Sequence, residues 1–181
     1  MDATTSPDAH VLTDAAATAA ALRLRDPQHR VSRMAIWYWT LRAALGWLVP
    51  LAVEVVWMLA DRGHFRTHLI WLAVTVVVAL LHVGIMPQWR YRVHRWETTP
   101  QAVYTQSGWF SQSRRIAPVS RIQTVDTERG PFEQLLGLSN ITVTTASAAG
   151  PLKIEGLDHE TAQRLVDELT TTTQANPGDA T

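Results

Sequence analysis

Two long apolar segments separated by a short polar loop dominate the first half of the chain. Leu69–Met86 contains one titratable side chain, His82, and is just long enough to cross the hydrocarbon of a bilayer as a helix. Trp39–Ala60 is a second such segment, and only Asp61–His68 joins the two. The later segment is rich in β-branched residues, but a lone strand in lipid would leave its backbone groups unpaired. The pattern therefore predicts a transmembrane helical hairpin within residues 34–87, with helices at about 39–60 and 69–86, and with Pro87 ending the second helix.

The second half of the chain changes to the period-two alternation that is typical of strands. The predicted strands are Trp89–Val93, Ala102–Gln106, Trp109–Ile116, Ser120–Thr127, Ile141–Thr145 and Leu152–Ile154. A two-residue turn at Ser107–Gly108 is expected to join two of them. An apolar stripe then predicts a C-terminal amphipathic helix, and its members are Ala162, Leu165, Val166 and Leu169. These elements predict a small antiparallel sandwich or partly open barrel over residues 88–173, covered by that helix.

The two ends of the chain are polar and are predicted to be largely disordered, over residues 1–33 and 174–181. Flanking basic residues predict the orientation of the hairpin, because positive charge concentrates on the cytoplasmic side. Four arginines precede the first segment, three follow the second and two lie in the loop; in that order they are Arg23, Arg25, Arg30, Arg33, Arg90, Arg92, Arg95, Arg62 and Arg66. The chain is therefore predicted to be a multi-pass protein of the inner or plasma membrane with both termini in the cytoplasm.

Composition excludes several classes of function. The 16 basic and 16 acidic side chains give no net charge, so no general attraction to nucleic acid is expected. The chain has no cysteine, which excludes disulfides, thiolate catalysis and cysteine-ligated metal sites. It also lacks the phosphate-binding, dinucleotide-binding, serine hydrolase and zinc protease motifs. We therefore predict that the protein is not an enzyme, and we expect neither a cofactor nor a bound metal.

Polar residues inside the hairpin are its candidate functional groups. Glu54 is an intramembrane carboxylic acid, and folding the hairpin about its loop brings it level with Thr75, to which it can hydrogen bond. His82 lies nearer the inner face and suits a contact between the helices. His64 and His68 have the i, i+4 spacing of a helical metal site, but ordinary interfacial histidines give the same pattern.

The stretch Ile116–Ala146 carries motifs that, with two upstream pieces, point to a known family. Within it lie Pro118, the Arg121–Gln123 run, Gly130–Pro131 and Leu136–Leu138, followed by an alternating strand. The upstream pieces read PQHRVSRMAIWYW and YRVHRWETTPQAVYTQSG. Together they resemble the bacterial PH-like domain of YdbS-type membrane proteins. The resemblance implies two transmembrane helices followed by a cytoplasmic PH-like barrel with a C-terminal helix.

The resemblance does not fix a function, since one fold serves many functions. The loop Glu97–Gln101, where eukaryotic PH domains often bind phosphoinositides through basic residues, has no Lys or Arg. Possible contacts with the membrane surface are Arg90, Arg92, Arg95, Arg114 and Arg115, although isolated exposed arginines give the same pattern.

Two functional hypotheses remain open. One is a membrane-tethered protein-interaction module or complex subunit, whose partners are the bilayer and a membrane protein or a second copy. The other is envelope lipid handling or solute export and resistance within an oligomer, using Glu54 and His82.

Overall fold

The computed structural model describes residues 27–147 and 150–175, with side chains to residue 173. Its helices are α1 Met34–Ala60, α2 Phe65–Val93, α3 Pro131–Leu135 and α4 His159–Ala175. Its strands are β1 His29–Arg30, β2 Arg95–Thr98, β3 Ala102–Gly108, β4 Gln112–Pro118, β5 Ile122–Glu128, β6 Leu138–Thr145 and β7 Leu152–Asp158. The disorder predicted for residues 1–26 and 176–181 falls outside the described residues.

Helices α1 and α2 form an antiparallel hairpin joined by a short 3₁₀ turn. Side chains from the two helices meet at matching depths, as the pairs Trp47–His82 and Glu54–Thr75 demonstrate. Both helices are long and apolar enough to cross a membrane, and their outward side chains are exposed along most of their length. The two apolar helices predicted from the hydrophobic pattern are therefore present.

The end of α2 departs from the sequence-based prediction. Pro87 does not end the helix, and the strand predicted at Trp89–Val93 is wrong, because α2 continues to Val93. A proline inside a helix removes one backbone hydrogen bond and costs about 3 kcal/mol. Here Pro87 and Val93 are buried and Tyr91 packs against the core, so tertiary packing offsets that cost.

The strands form two antiparallel sheets, ordered β1-β2-β3-β4 and β5-β6-β7. Among the described residues the sheets do not pair with each other, so the barrel is not closed. The β3–β4 turn lies at Trp109–Ser111 rather than at the predicted Ser107–Gly108, because Gly108 pairs with Gln112. Gly108 has a φ of +118°, which suits the residue that leads into this tight turn.

The chain ends also differ from expectation. Residues 29–30, predicted to be disordered, form β1 because they pair with Trp96 and Arg95 of β2. The C-terminal tail, predicted to be disordered from residue 174, is still helical as far as Ala175. The hydroxyls of Thr171, Thr172 and Thr173 each donate to the carbonyl four residues earlier, which satisfies these side chains within the helix.

The hydrophobic core lies between the two sheets and beneath α4. Its most buried side chains include Val103, Leu138, Ile141, Val143 and Leu157. The predicted stripe on α4 covers this core, with Ala162, Leu165 and Leu169 buried and Val166 partly buried. The first turns of α1 also belong to it, so the hairpin and the sheets share one core.

Candidate functional site at the helix–sheet junction

The start of α1 packs directly onto β7. Ala35 is fully buried and Trp39 almost so, because both face the sheets from the first two turns of the helix. Just before the helix, the backbone N–H of Ser32 donates to the carbonyl of Gly156 at 2.8 Å. The Ser32 hydroxyl donates to Oδ1 of Asp158 at 2.6 Å. This segment therefore joins the sheet domain before the chain enters the hairpin.

A first polar cluster links α1 to α3 and β6. The Tyr38 hydroxyl donates to Oε1 of Glu133 at 2.6 Å, and Arg42 Nη1 donates to the Tyr38 hydroxyl at 2.9 Å. Asn140 Nδ2 donates to the same Glu133 oxygen at 3.3 Å, while its Oδ1 accepts the backbone N–H of Gly156. Tyr38 and Arg42 are one helical turn apart, so a single face of α1 presents both groups.

A second cluster links α2 to β7. Arg90 Nη2 donates to Oε2 of Glu155, and its guanidinium lies 4.5 Å above the ring centroid of Trp39. His94 follows one turn later, where its Nδ1 donates to the carbonyl oxygen of Arg90 at 2.9 Å and its ring lies 4.9 Å from that of Trp39. A half-buried ion pair thus joins the end of α2 to the sheet, and a stacked cation joins it to α1.

Electrostatics at the junction favour a charged Glu133 and a neutral His94. Burial raises the pKa of Glu133, but hydrogen bonds from Tyr38 and Asn140 and the charge of Arg42 outweigh it, so the pKa lies below its usual value. Burial and the neighbouring Arg90 charge lower the pKa of His94 to about 4. His94 is therefore neutral at physiological pH and serves as a hydrogen-bond donor, not as a cation.

A cleft of about 580 Å³ opens between the two clusters. Beyond the residues already named, its lining includes Ala43, His82, Met86 and Glu128. Two pairs of its charged groups are already linked: Arg42 to Glu133 through the Tyr38 hydroxyl, and Arg90 directly to Glu155. In the described part of the chain, no group of three or more His, Asp or Glu side chains is arranged to hold a metal ion. His64 and His68 both approach the Asp61 carboxylate instead.

The predicted surface arginines do not gather at one place. Arg90 is in the junction, Arg92 is exposed in the last turn of α2, and Arg95 is half-buried in β2. Arg114 and Arg115 are both exposed on β4, and Arg115 donates to the carbonyl of Pro151. Contact between these arginines and lipid remains a prediction.

The two candidate groups inside the hairpin each have a partner on the facing helix. The Thr75 hydroxyl donates to Oε1 of Glu54 at 2.6 Å. This confirms the prediction that the two residues lie at the same depth in the hairpin and can hydrogen bond. The other oxygen of Glu54, Oε2, is buried and has no hydrogen-bond partner among the described residues. The Trp47 indole N–H donates to Nδ1 of His82 at 3.0 Å. Thr75 and His82 are seven residues apart, about 10 Å along the helix, so the structure does not bring Glu54 and His82 together.

Sequence reasoning missed the junction residues Tyr38, Arg42, Glu133, Asn140 and Glu155. The only local signal is the i, i+4 spacing of Tyr38 and Arg42, which many helices share. Glu133 lies 95 residues from Tyr38 along the chain, and no periodicity links the two.

Comparison with known proteins identifies the fold family. The family model described as a bacterial PH domain matches residues 15–172, which is most of the chain and includes both apolar helices. The chain belongs to the bacterial PH domain family. The resemblance read from the sequence is thereby confirmed, and the sheets with their C-terminal helix are consistent with a PH-like fold.

This bacterial PH domain protein is also similar to the UPF0699 transmembrane protein YdbS of Bacillus subtilis (strain 168). The two are 29% identical over 147 residues, which cover 79% of this chain and 91% of that protein. No solved structure gives a significant match. With its two apolar helices, the chain is a membrane protein that carries a PH-like domain.

Proposed function

We propose that this protein is a membrane-tethered interaction module, in which the hairpin anchors the PH-like domain and the domain binds a second membrane protein. The observation that carries the proposal is the open edge of the first sheet. Strand β4 pairs with β3 along its whole length, and no other described strand pairs with it. An edge strand presents backbone groups that an extended segment of a partner can join by strand addition.

The side chains of β4 indicate the chemistry of the partner. Ala117 is buried, so its neighbour Ile116 lies on the opposite face, where 46% of it is exposed. Arg114 and Arg115 give the strand positive charge, and the strand has no acidic residue. An extended segment that has no basic residue and carries an apolar side chain opposite Ile116 therefore suits this edge.

Purification of the full-length chain from gently solubilised membranes tests this function. We expect a membrane protein to copurify with the wild type and to be lost with Ile116→Lys, which adds charge to the proposed contact. Thr127→Lys, at an exposed position on β5, is the matched control and should keep the partner. Purification of the wild-type chain alone would overturn the proposal.

The proposal places both termini and the domain in the cytoplasm. The pairing of β1 with β2 supports a common side of the membrane for the chain before α1 and the domain after α2. The larger number of arginines outside the loop supports the cytoplasm as that side. Reporter fusions at Thr181 and within Gly63–Thr67 test it. An exported C-terminus would contradict it.

Lipid handling or solute export within an oligomer is the second candidate. The observation in its favour is the buried Oε2 of Glu54, a carboxyl oxygen that has no hydrogen-bond partner among the described residues. Two observations argue against it: Glu54 and His82 lie apart along the hairpin, and each already bonds to the facing helix. The open edge of β4 therefore favours the interaction module.

A further inference from the structure

Two aromatic side chains project from the β3–β4 turn. Phe110 is 91% exposed and Trp109 is 47% exposed, and their ring centroids lie 6.1 Å apart. A large aromatic ring almost fully in water forgoes the favourable free energy of burial that such side chains usually gain. Exposed apolar groups of this size at the tip of a hairpin mark a surface that contacts something apolar.

The turn lies against the hairpin, within the depth of its apolar belt. The Trp109 ring centroid is 5.8 Å from that of His82, which is fixed by its bond from Trp47 on the other helix. His82 precedes Met86, the last residue of the apolar segment, by four residues, or about 6 Å of helix. The tip of the turn therefore lies about one helical turn inside the apolar segment, measured from the end nearest the domain.

At the depth of this contact the hairpin carries exposed apolar side chains. Leu48, Leu81 and Ile85 flank the depth of His82, and each is more than half exposed. Side chains with this composition at this depth face acyl chains once the hairpin spans a bilayer. Trp109 contacts the hairpin at this same depth, which is why lipid, and not a soluble protein, is the occupant that fits the turn.

The arginines of β4 lie at a matching height. Arg114 and Arg115 pair with Gln106 and Thr105, two and three residue pairs behind the pair that closes the turn. At about 3.3 Å per residue, they lie about 7 to 10 Å behind the base of the turn. A tip among acyl chains therefore puts these two guanidinium groups near lipid phosphates, where arginine binds favourably.

We propose that Trp109 and Phe110 insert into the leaflet nearest the domain, so that the β3–β4 turn is a third membrane contact beside α1 and α2. This inference rests on the part of the proposed function in which the hairpin spans the bilayer. The inserted turn holds the PH-like domain against the membrane, in addition to the contacts at the helix–sheet junction.

The absence of cysteine permits a direct test. Single-cysteine variants of the full-length chain, Phe110→Cys, Val77→Cys and Gln163→Cys, are labelled with an environment-sensitive fluorophore and reconstituted in vesicles of phosphatidylcholine and phosphatidylglycerol. Nitroxide-bearing lipids quench labels in the acyl region, and iodide quenches labels in water. Val77 is an exposed position in the middle of α2, and Gln163 is exposed on α4.

We expect nitroxide lipids to lower the emission of the Phe110 label roughly twofold, because the label would lie at the membrane interface, where aromatic side chains are enriched. Iodide should leave that label almost unchanged, and the Gln163 label should behave in the opposite way. If the Val77 label is quenched by lipid while the Phe110 label is quenched only by iodide, the inference fails and the anchoring by the hairpin stands. A Phe110 label that is shielded from both quenchers indicates a protein contact and also overturns the inference. If the Val77 label is not quenched by lipid, the membrane-spanning hairpin fails, and the inference fails with it.

Discussion

Gly156 of β7 and Ala35 of α1 approach so closely that a Cβ added to Gly156 would lie 2.7 Å from the Cβ of Ala35. Gly156 also has a φ of +77°, a conformation that side chains other than glycine adopt only with strain. Its N–H and carbonyl are both used, the first by Asn140 and the second by Ser32. The contact between a helix of the hairpin and the sheet domain therefore depends on one residue without a side chain.

Gly156→Ala should destabilise the protein by about 2 to 4 kcal/mol, because the new methyl group meets Ala35 and the backbone is strained as well. Gly150→Ala is the matched control, since Gly150 has the same φ of +77° and nothing within 4 Å of its added Cβ. The control should show only the backbone strain, about 1 kcal/mol. Denaturant unfolding in detergent micelles measures both. Equal losses would mean that the close approach to Ala35 is unimportant.

Tyr38→Phe should lower the free energy of unfolding by about 1 to 2 kcal/mol. The change removes the donor to Glu133 and the acceptor for Arg42, so that, within the described part of the chain, this buried carboxylate keeps Asn140 as its side-chain hydrogen-bond donor. Tyr104→Phe on β3 removes a hydroxyl outside the junction and should leave stability nearly unchanged. Thermal unfolding of both variants in micelles is the measurement. A Tyr38→Phe protein as stable as the wild type would show that this cluster does not hold the hairpin to the domain.

Acid should weaken the junction through His94. Its pKa is about 4 in the folded protein and about 6.5 in an unfolded chain, so at pH values between these the unfolded state binds the additional proton. The contribution of His94 is complete above pH 6.5 and declines as the pH falls toward 4, by on the order of 3 kcal/mol in total. The depressed pKa of Glu133 acts in the same direction, since its stabilisation is lost as the pH falls through its folded pKa.

Replacing His94 with Gln separates these two effects. Glutamine keeps a donor for the carbonyl of Arg90 but does not titrate, so the loss of stability between pH 6.5 and 4 should be smaller than in the wild type. Melting temperatures measured across this pH range give the comparison. Identical pH dependence in the two proteins would exclude His94 as the group responsible.

Glu54→Gln should leave insertion, assembly and any cellular phenotype unchanged, because glutamine can still accept the hydrogen bond from Thr75. Glu54→Ala should weaken the association of the two helices by about 0.6 kcal/mol, the usual size of a hydrogen bond within a membrane. Helix association in micelles and the growth phenotype are the two readouts. A Glu54→Gln variant that inserts and assembles normally but loses its phenotype would favour a proton-relay role, since glutamine cannot release a proton.

The hydrophobic pattern was sufficient to predict the features that depend on local burial. It located both apolar helices, and the length of the loop between them placed Thr75 opposite Glu54, because an antiparallel pair with a short connection has little freedom of register. The stripe on α4 was likewise predictable, since Leu165 and Leu169 recur at the period of a helix with one covered face. The family could be recognised because its motifs lie in order along the chain.

Only the tertiary structure decided how the hairpin joins the domain. Locally, Pro87 and the alternation of Trp89–Val93 favour a helix end and a strand; the burial of Pro87 and Val93 against distant residues reverses that preference. The bond between Tyr38 and Glu133 joins residues 95 positions apart, and the need for glycine at 156 arises from the approach of a helix that begins at residue 34. A sequence pattern records which side chains avoid water. It does not record which distant surface covers them, because that depends on the packing of the whole chain.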